Sequence, residues 1–193
     1  MTVWFTGDTH FWHKSVIGYC NRPWPDVEQM NEGLIRRWNE HILEDDMVYH
    51  LGDFAFCGTT KCADIFGKLK GRKFLIRGNH DGQSQCKPGW EWVKDYYSLR
   101  VQLTYQDDDG EEKQYVQPII LMHFPILSWD GMAHGSWHLH GHCHGSLPDT
   151  GVMRLDVGVD CNNWYPCSLD DIRKKMIMRS IIPVDHHKVK EIK

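Results

Sequence analysis

Four histidines occupy every second position of the segment HLHGHCHG, which spans residues 138–145. Successive side chains of a strand point to opposite faces, so these four would share one face of an unbroken strand. Neutral imidazole is the commonest metal-ligating side chain, and the spacing therefore favours metal binding. The alternative is a histidine-rich patch without a ligand role. A metal site would require partners elsewhere in the chain.

Candidate partners with carboxylate, amide and imidazole groups follow several predicted strands. This mixture of nitrogen and oxygen ligands suits Mn, Fe, Zn or Ni better than Ca or Mg, which prefer oxygen ligands alone. Seven ligand side chains are too many for one tetrahedral ion, so the composition predicts two ions that share a carboxylate. The seven candidates are Asp8, His10, Asp53, Asn79, His123, His142 and His144.

The first half of the chain repeats the order of strand, polar loop and helix. Strands are predicted over Val3–Thr6 and within DMVYHLGDF and RKFLIRGNHD. Asp26 can cap a helix whose apolar residues recur every three or four positions, and CADIFGKLKG reads as a short helix closed by Gly71. This order predicts an α/β fold with ligands gathered at the strand ends.

The second half predicts a long antiparallel hairpin between Ser98 and Met122, turning at Asp109-Gly110. After the histidine segment, VMRLDVGVD reads as a strand, although Gly141 is expected to bend the histidine strand. A helix is predicted over Leu169–Met176, because Ser168 and Asp171 at its start nearly match the capping-box pattern. The last ten residues are polar and are expected to fray.

Length and composition limit the function classes. The 193 residues are expected to form a single domain over 1–193, with no apolar run near the ~20 residues of a membrane span. The start of the chain lacks a signal peptide, which predicts a cytoplasmic protein. Seven Cys without a C-x-x-C pair predict reduced thiols, and the net charge of −4 disfavours a dedicated nucleic-acid binder. Composition leaves the oligomeric state open.

Five short motifs, in this order, resemble the calcineurin-like metallophosphoesterase superfamily: D-x-H, G-D, G-N-H-D, a single H, and G-H-x-H. The resemblance runs from Asp8 to His144, about three quarters of the chain. The finer pattern is similar to a compact, single-domain branch of predicted phosphoesterases from bacteria and phages. The fold that this resemblance implies is a two-sheet α/β/β/α sandwich with a dimetal site at the strand ends.

The resemblance also implies a role for each motif residue. The first metal would be held by Asp8, His10, Asp53 and His144, and the second by Asp53, Asn79, His123 and His142. Mn²⁺ is the expected metal, with Fe, Zn or Ni as alternatives. His80 would protonate the leaving oxygen or stabilise the transition state, and Asp81 would orient His80 through a hydrogen bond.

The implied activity is hydrolysis of a phosphodiester or pyrophosphate bond, of nucleotide type, by attack of a metal-bridging hydroxide. A phosphomonoesterase is the first alternative, and a non-catalytic interaction module on the same fold is the second. Arg22 is a candidate phosphate ligand, and an ion pair between Arg22 and a surface acid is an equally weighted alternative. For Arg77, a surface position that points away from the site is favoured over phosphate binding. Three tryptophans could stack on a base or ring of the substrate, but packing in the core or at the rim is the more common role of such residues. They are Trp12, Trp24 and Trp129.

Overall fold

The computed structural model describes residues 1–184, so the C-terminal tail expected to fray lies outside the described residues apart from Val184. The helices are α1 (Lys14–Tyr19), α2 (Val27–His41), α3 (Thr59–Lys68), α4 (Gln83–Cys86) and α5 (Leu169–Met176). The strands are β1 (Val3–Thr6), β2 (Met47–His50), β3 (Arg72–Ile76), β4 (Val93–Lys94), β5 (Tyr96–Gln106), β6 (Glu112–Met122), β7 (Trp137–His140), β8 (Arg154–Asp156) and β9 (Cys167–Ser168).

The first sheet has the strand order β4-β3-β2-β1-β9. Strands β1 to β4 pair in parallel, with Val3 opposite Met47 and Met47 opposite Arg72, and β9 adds to β1 in the antiparallel direction. Because parallel strands end at the same edge, the loops that follow β1, β2 and β3 meet there.

The second sheet has the order β5-β6-β7-β8. The predicted hairpin is confirmed: β5 and β6 pair antiparallel from Tyr96 opposite Met122 to Gln106 opposite Glu112, and the chain turns through Asp107–Gly110. Strands β6, β7 and β8 then run in parallel. The carboxyl ends of β6 and β7 therefore bring two further loops to one edge of this sheet.

The main core lies between the two sheets, and α2 and α3 cover the outer face of the first. The inter-sheet core includes Phe5, Leu51, Ile76, Ile119 and Leu139, each with essentially no exposed surface. The outer face of the second sheet is covered by the segment around Trp129 and Met132, which contains one turn of 3₁₀ helix. The predicted α/β class, a two-sheet α/β/β/α sandwich, is confirmed.

The predicted helix signals are confirmed at α2 and α5. Asp26 accepts a hydrogen bond from Gln29 N, and Ser168 and Asp171 form a reciprocal capping box. Helix α3 differs, since it begins at Thr59 and ends at Lys68, earlier than the predicted segment on both sides. Gly71 instead adopts φ +88° in the turn before β3, where a Cβ would lie 3.0 Å from Ile42 and Val48 side chains.

The histidine strand is shorter than an unbroken run would require. Strand β7 ends at His140, and Gly141 starts a loop in which His142 and His144 have φ values of 70° and 47°. The idea that the four histidines share one strand face is therefore wrong, because the chain leaves the extended conformation between the second and the third. Within residues 1–184, no helix is long and apolar enough to cross a membrane, and all seven Cys are free thiols.

Candidate metal centre

Five loops at the carboxyl ends of strands bring the seven predicted ligands together. The loops follow β1, β2, β3, β6 and β7. Two groups of potential ligand atoms result, within each of which all atoms lie within 4.8 Å of one another. One group is Asp8, His10 and His144, and the other is Asp53, His123 and His142.

Asp53 lies between the two groups. Its Oδ2 atom is 3.5 Å from His10 Nε2 and also 3.5 Å from His123 Nε2. On the second side, Asn79 Oδ1 is 3.0 Å from both His123 Nε2 and His142 Nδ1. One carboxylate oxygen therefore faces ligands of both groups, and Asn79 belongs to the second.

The hydrogen bonds of the histidines leave lone pairs pointing into the cluster. His123 Nδ1 donates to Leu51 O at 2.7 Å, so in the neutral imidazole the lone pair of Nε2 faces Asp53 and Asn79. His10 Nε2 is buried and has no hydrogen-bond partner among the described residues. Acceptor atoms that converge in a buried site repel one another unless a cation lies between them, so these residues fit a metal.

Most of the ligand-bearing backbone is in the left-handed region. Within residues 1–184, nine non-glycine residues have positive φ, and five of them are predicted ligands: Asp8, His10, Asp53, His142 and His144. Each such residue costs on the order of 1–3 kcal/mol and persists only where its surroundings impose it. The concentration of strain at these positions indicates that the loops are held in place for function.

The charges of the cluster suit a cation. Burial raises the pKa of Asp8 to about 7 and lowers the pKa of His10 to about 3, which keeps this imidazole neutral. Burial opposes protonation of His144, but its hydrogen bonds with Asp160 and Cys20 and the nearby Asp8 raise its pKa to about 10. The site therefore stabilises positive charge next to Asp8 and Asp160.

Glycines surround the two ligand carboxylates at close range. A Cβ at Gly141 or at Gly158 would lie 2.6 Å from Asp8 Oδ2, and a Cβ at Gly78 would collide with Asp53. Because no side chain fills this space, the backbone N–H of His142 can donate to both Asp8 oxygens, at 2.9 and 3.1 Å. Gly158 was not predicted from the sequence, although it follows a strand as the motif glycines do.

We expect Gly141→Ala to displace Asp8 and to weaken metal binding by at least about the 10- to 100-fold typical of disturbed ligand support. Gly67→Ala is the matched control, because Gly67 lies in α3 with open space where its Cβ would be. The control should keep full affinity in a Mn²⁺ titration and gain slightly in stability, since alanine favours a helix. Equal affinities for the two variants would contradict the packing role of Gly141.

His80 lies at the mouth of the cluster, but the Asp81 carboxylate is hydrogen-bonded to backbone N–H groups and not to the His80 side chain. The exposed His80 ring is 5.5 Å from the His10 ring, and its backbone N–H donates to Asp53 Oδ1 at 2.8 Å. The Asp81 carboxylate is buried and accepts from the backbone N–H groups of Asp53, Phe54 and Gly78. The proposed hydrogen bond from Asp81 to His80 is therefore wrong: this carboxylate holds the loop after β2 against the loop after β3.

Arg22 does not face the site as a substrate ligand. Its side chain is buried and forks onto Asp160, with Nε to Oδ1 at 3.0 Å and Nη2 to Oδ2 at 2.8 Å. The prediction of substrate binding by Arg22 is wrong, because its donors are engaged inside the protein. Arg77 forms an exposed fork with Asp95 at 2.8 and 2.9 Å, as the surface alternative for it predicted.

A third group of potential ligand atoms consists of Cys20, His144 and Asp160. Asp160 is already occupied, because it accepts from Arg22 with both oxygens and from His144 Nδ1 at 2.7 Å. We therefore assign no ion to this group. Asp160 was not predicted, although it follows β8 in a G-x-D pattern at a strand end.

The remaining histidines and aromatic residues separate into core and rim. His138 donates from Nδ1 to Ile120 O and accepts from Ile126 N, so it is a buried structural residue. His140 Nδ1 donates to Gly141 O. At the rim, the exposed Phe56 ring stacks on His13 at 4.5 Å, and the exposed Phe124 ring is 4.6 Å from His142.

The three tryptophans proposed for ring stacking pack against the protein. Trp129 is buried and donates from Nε1 to Ser136 O, and Trp24 packs edge-on against Trp164. Trp12 is half-buried beneath Lys61, whose Nζ is 4.0 Å from the ring centroid. Phe56 and Phe124 were not predicted: Phe124 directly follows His123, and Phe56 lies three residues after Asp53, so only their nearness to these motifs could have indicated them.

Comparison with known proteins agrees with this geometry. The family model described as calcineurin-like phosphoesterase matches residues 1–146. The uncharacterized protein MJ1445 of Methanocaldococcus jannaschii is 33% identical over 181 residues, covering 89% of each chain. The gene 66 protein of Mycobacterium phage D29 is 29% identical over 197 residues, covering 89% of this chain and 94% of its own.

A solved structure shares the fold. The protein of unknown function AQ665 from Aquifex aeolicus aligns with a TM-score of 0.65 and 22% identity, over 90% of this chain and 98% of its own. The family match covers all five motifs, from D-x-H to G-H-x-H, and the loops that carry them converge as described above. This chain belongs to the calcineurin-like phosphoesterase family.

Proposed function

We propose that this chain is a single-domain, two-metal phosphoesterase that hydrolyses a phosphodiester or pyrophosphate bond in a nucleotide-type substrate. Membership of the family supports metal-dependent hydrolysis of a phosphate ester. One observation carries the proposal of two ions: Asp53 Oδ2 stands 3.5 Å from a histidine nitrogen of each ligand group. A single carboxylate in that position can bind both ions at once.

The chain's own residues divide the tasks of the reaction. The first ion would be held by Asp8, His10, Asp53 and His144, and the second by Asp53, Asn79, His123 and His142. When bound, the two ions would lower the pKa of a water and neutralise the phosphate oxygens. His80, exposed at the rim, is the residue that can deliver a proton to the leaving oxygen.

The surroundings of the site support a diester over a monoester. A monoester phosphate carries up to two negative charges and is commonly held by a guanidinium fork. Both arginines considered for this role are engaged, Arg22 with Asp160 and Arg77 with Asp95. Phe56 and Phe124 flank the site with exposed aromatic rings, on which a nucleobase can stack.

Mn²⁺ is the proposed ion, with Fe, Zn or Ni as alternatives, because the donors combine imidazole nitrogens with carboxylate and amide oxygens. Binding to the folded chain alone adds about 2.7 kcal/mol of stability at a hundredfold excess over Kd. We therefore expect Mn²⁺ to raise the melting temperature of chelator-treated protein and EDTA to reverse the change. A melting curve that is identical with and without Mn²⁺ would count against the site.

Turnover of the Mn²⁺-loaded protein distinguishes the candidate activities. The substrates are cyclic nucleotides, dinucleotides, nucleotide diphosphates, bis-p-nitrophenyl phosphate and p-nitrophenyl phosphate. We expect turnover of the diesters or pyrophosphates only. Turnover of the monoester alone would replace the proposal by a phosphomonoesterase, and no turnover with two ions bound would favour a non-catalytic interaction module.

A further inference from the structure

We propose that Arg22 and Asp160 act as positioning residues for the first metal site, by fixing His144 and the loop that carries Asp8. The inference rests on the proposed two-metal function. Arg22 and Asp160 are 138 residues apart in the sequence but form a buried fork, and their side chains are 0% and 4% exposed. The pair lies directly beneath two of the proposed ligands.

Arg22 holds the loop after β1 through main-chain carbonyl groups. Its Nη2 atom donates to Asp8 O at 2.7 Å and its Nη1 atom donates to Thr9 O at 2.8 Å. Asp8 and His10, on either side of this contact, have φ values of 54° and 48°. Because left-handed backbone persists only where neighbours impose it, the guanidinium helps to keep this loop in its ligand-presenting conformation.

Asp160 holds the loop after β7 through a side chain. Its Oδ2 atom accepts from His144 Nδ1 at 2.7 Å. This hydrogen bond places the imidazole proton on Nδ1, leaves Nε2 as the ligand atom and makes that nitrogen a better donor to a cation. The Arg22–Asp160 pair therefore connects the two loops that carry Asp8, His10 and His144.

The carboxylate partner distinguishes His144 from two other ligand histidines. His123 Nδ1 donates to the Leu51 carbonyl oxygen, and His10 Nδ1 faces His13 Nδ1 at 3.2 Å. The first site also has two carboxylates, Asp8 and Asp53, whereas the second combines Asp53 with the neutral amide of Asn79. The Asp160 interaction thus adds to the more negatively charged site.

A purely structural role is the competing explanation. Replacing a buried ion pair by apolar residues of similar size is often neutral for stability, so the pair need not be retained for folding alone. The double variant Arg22→Met with Asp160→Leu leaves no charge unpaired and is designed to remain folded. It removes the partner of His144 Nδ1, so folding and positioning are tested separately.

The experiment is calorimetric titration of chelator-treated full-length protein with Mn²⁺ alone. We expect both Asp160→Asn and the double variant to weaken one of the two binding steps by about 10- to 100-fold and to leave the other step nearly unchanged. Asp95→Asn is the matched control, because it breaks an exposed fork of the same residue types, Arg77–Asp95. It should leave both steps unchanged.

A double-mutant cycle identifies the path of the effect. In a His144→Ala background, Asp160→Asn should produce a smaller further loss of Mn²⁺ affinity than in the wild-type background, because the part of its effect that acts through His144 is already lost. Full additivity, or unaltered Mn²⁺ binding in the folded double variant, would overturn the positioning role. If the wild-type chain itself fails to bind two Mn²⁺ ions, the proposed function fails, which is a different outcome.

Discussion

Replacing Asp53 with asparagine is expected to abolish hydrolysis and to weaken binding of both metal ions by more than the roughly 100-fold seen when ligand support is disturbed. The buried Asp53 carboxylate faces His10 and His123 across equal distances of 3.5 Å. An amide at this position keeps the size of the side chain but removes the one negative charge that would hold two mutually repelling cations together. Metal content and turnover measure the effect.

Asp46→Asn is the matched control for the loss of a buried carboxylate. Asp46 accepts from Thr2 N, Leu43 N and Trp4 Nε1, and it touches none of the proposed ligands in these contacts. This variant should lower the melting temperature and keep both ions. An Asp53→Asn protein that remains active with two ions at full occupancy would contradict the bridging assignment.

His80→Ala should reduce turnover of a nucleotide diester by about 10²- to 10⁴-fold and turnover of a nitrophenyl ester by markedly less. A ribose alkoxide requires a proton to leave, whereas nitrophenolate is stable as an anion near neutral pH. The exposed His80 imidazole is at the rim of the cluster and is not a proposed ligand. Metal content should therefore remain unchanged. Single-turnover rates make the comparison valid, because both must report the chemical step.

Asp81→Asn separates support of the loops from proton transfer. Since Asp81 accepts from the N–H groups of Asp53, Phe54 and Gly78, its replacement should weaken metal binding and slow both ester types alike. Equal losses on the two esters in His80→Ala, with both ions bound, would instead indicate that His80 clamps the phosphoryl group. Loss of an ion from that variant would make His80 a ligand.

The convergence of the candidate ligands could be predicted because its signals are local. Asp8, Asp53 and Asn79 each follow a short apolar strand by two or three residues, and parallel strands carry such residues to a common edge. The hairpin turn at Asp109-Gly110 and the cap at Asp26 are likewise read within a few residues of sequence. The resemblance to the family then suggested how the candidate ligands would be divided between two proposed ions.

The supporting contacts could not be predicted, because they depend on residues far apart in the chain. The sequence around Arg22 contains no sign of Asp160, and its fork with that carboxylate exists only once β8 lies beside β7. The resemblance to the family implied a hydrogen bond from Asp81 to its sequence neighbour His80. The tight loop turns the Asp81 carboxylate away from His80 and onto backbone N–H groups.

Electron paramagnetic resonance of the protein loaded with two equivalents of Mn²⁺ tests the central claim most directly. Two ions joined by Asp53 would lie about 3.5–4 Å apart, close enough for their spins to couple. We expect a spin-coupled spectrum from the wild-type chain and from Asp46→Asn, and its loss in Asp53→Asn. A wild-type protein that binds two ions but shows the six-line signal of isolated Mn²⁺, without spin coupling, would contradict the bridging role of Asp53.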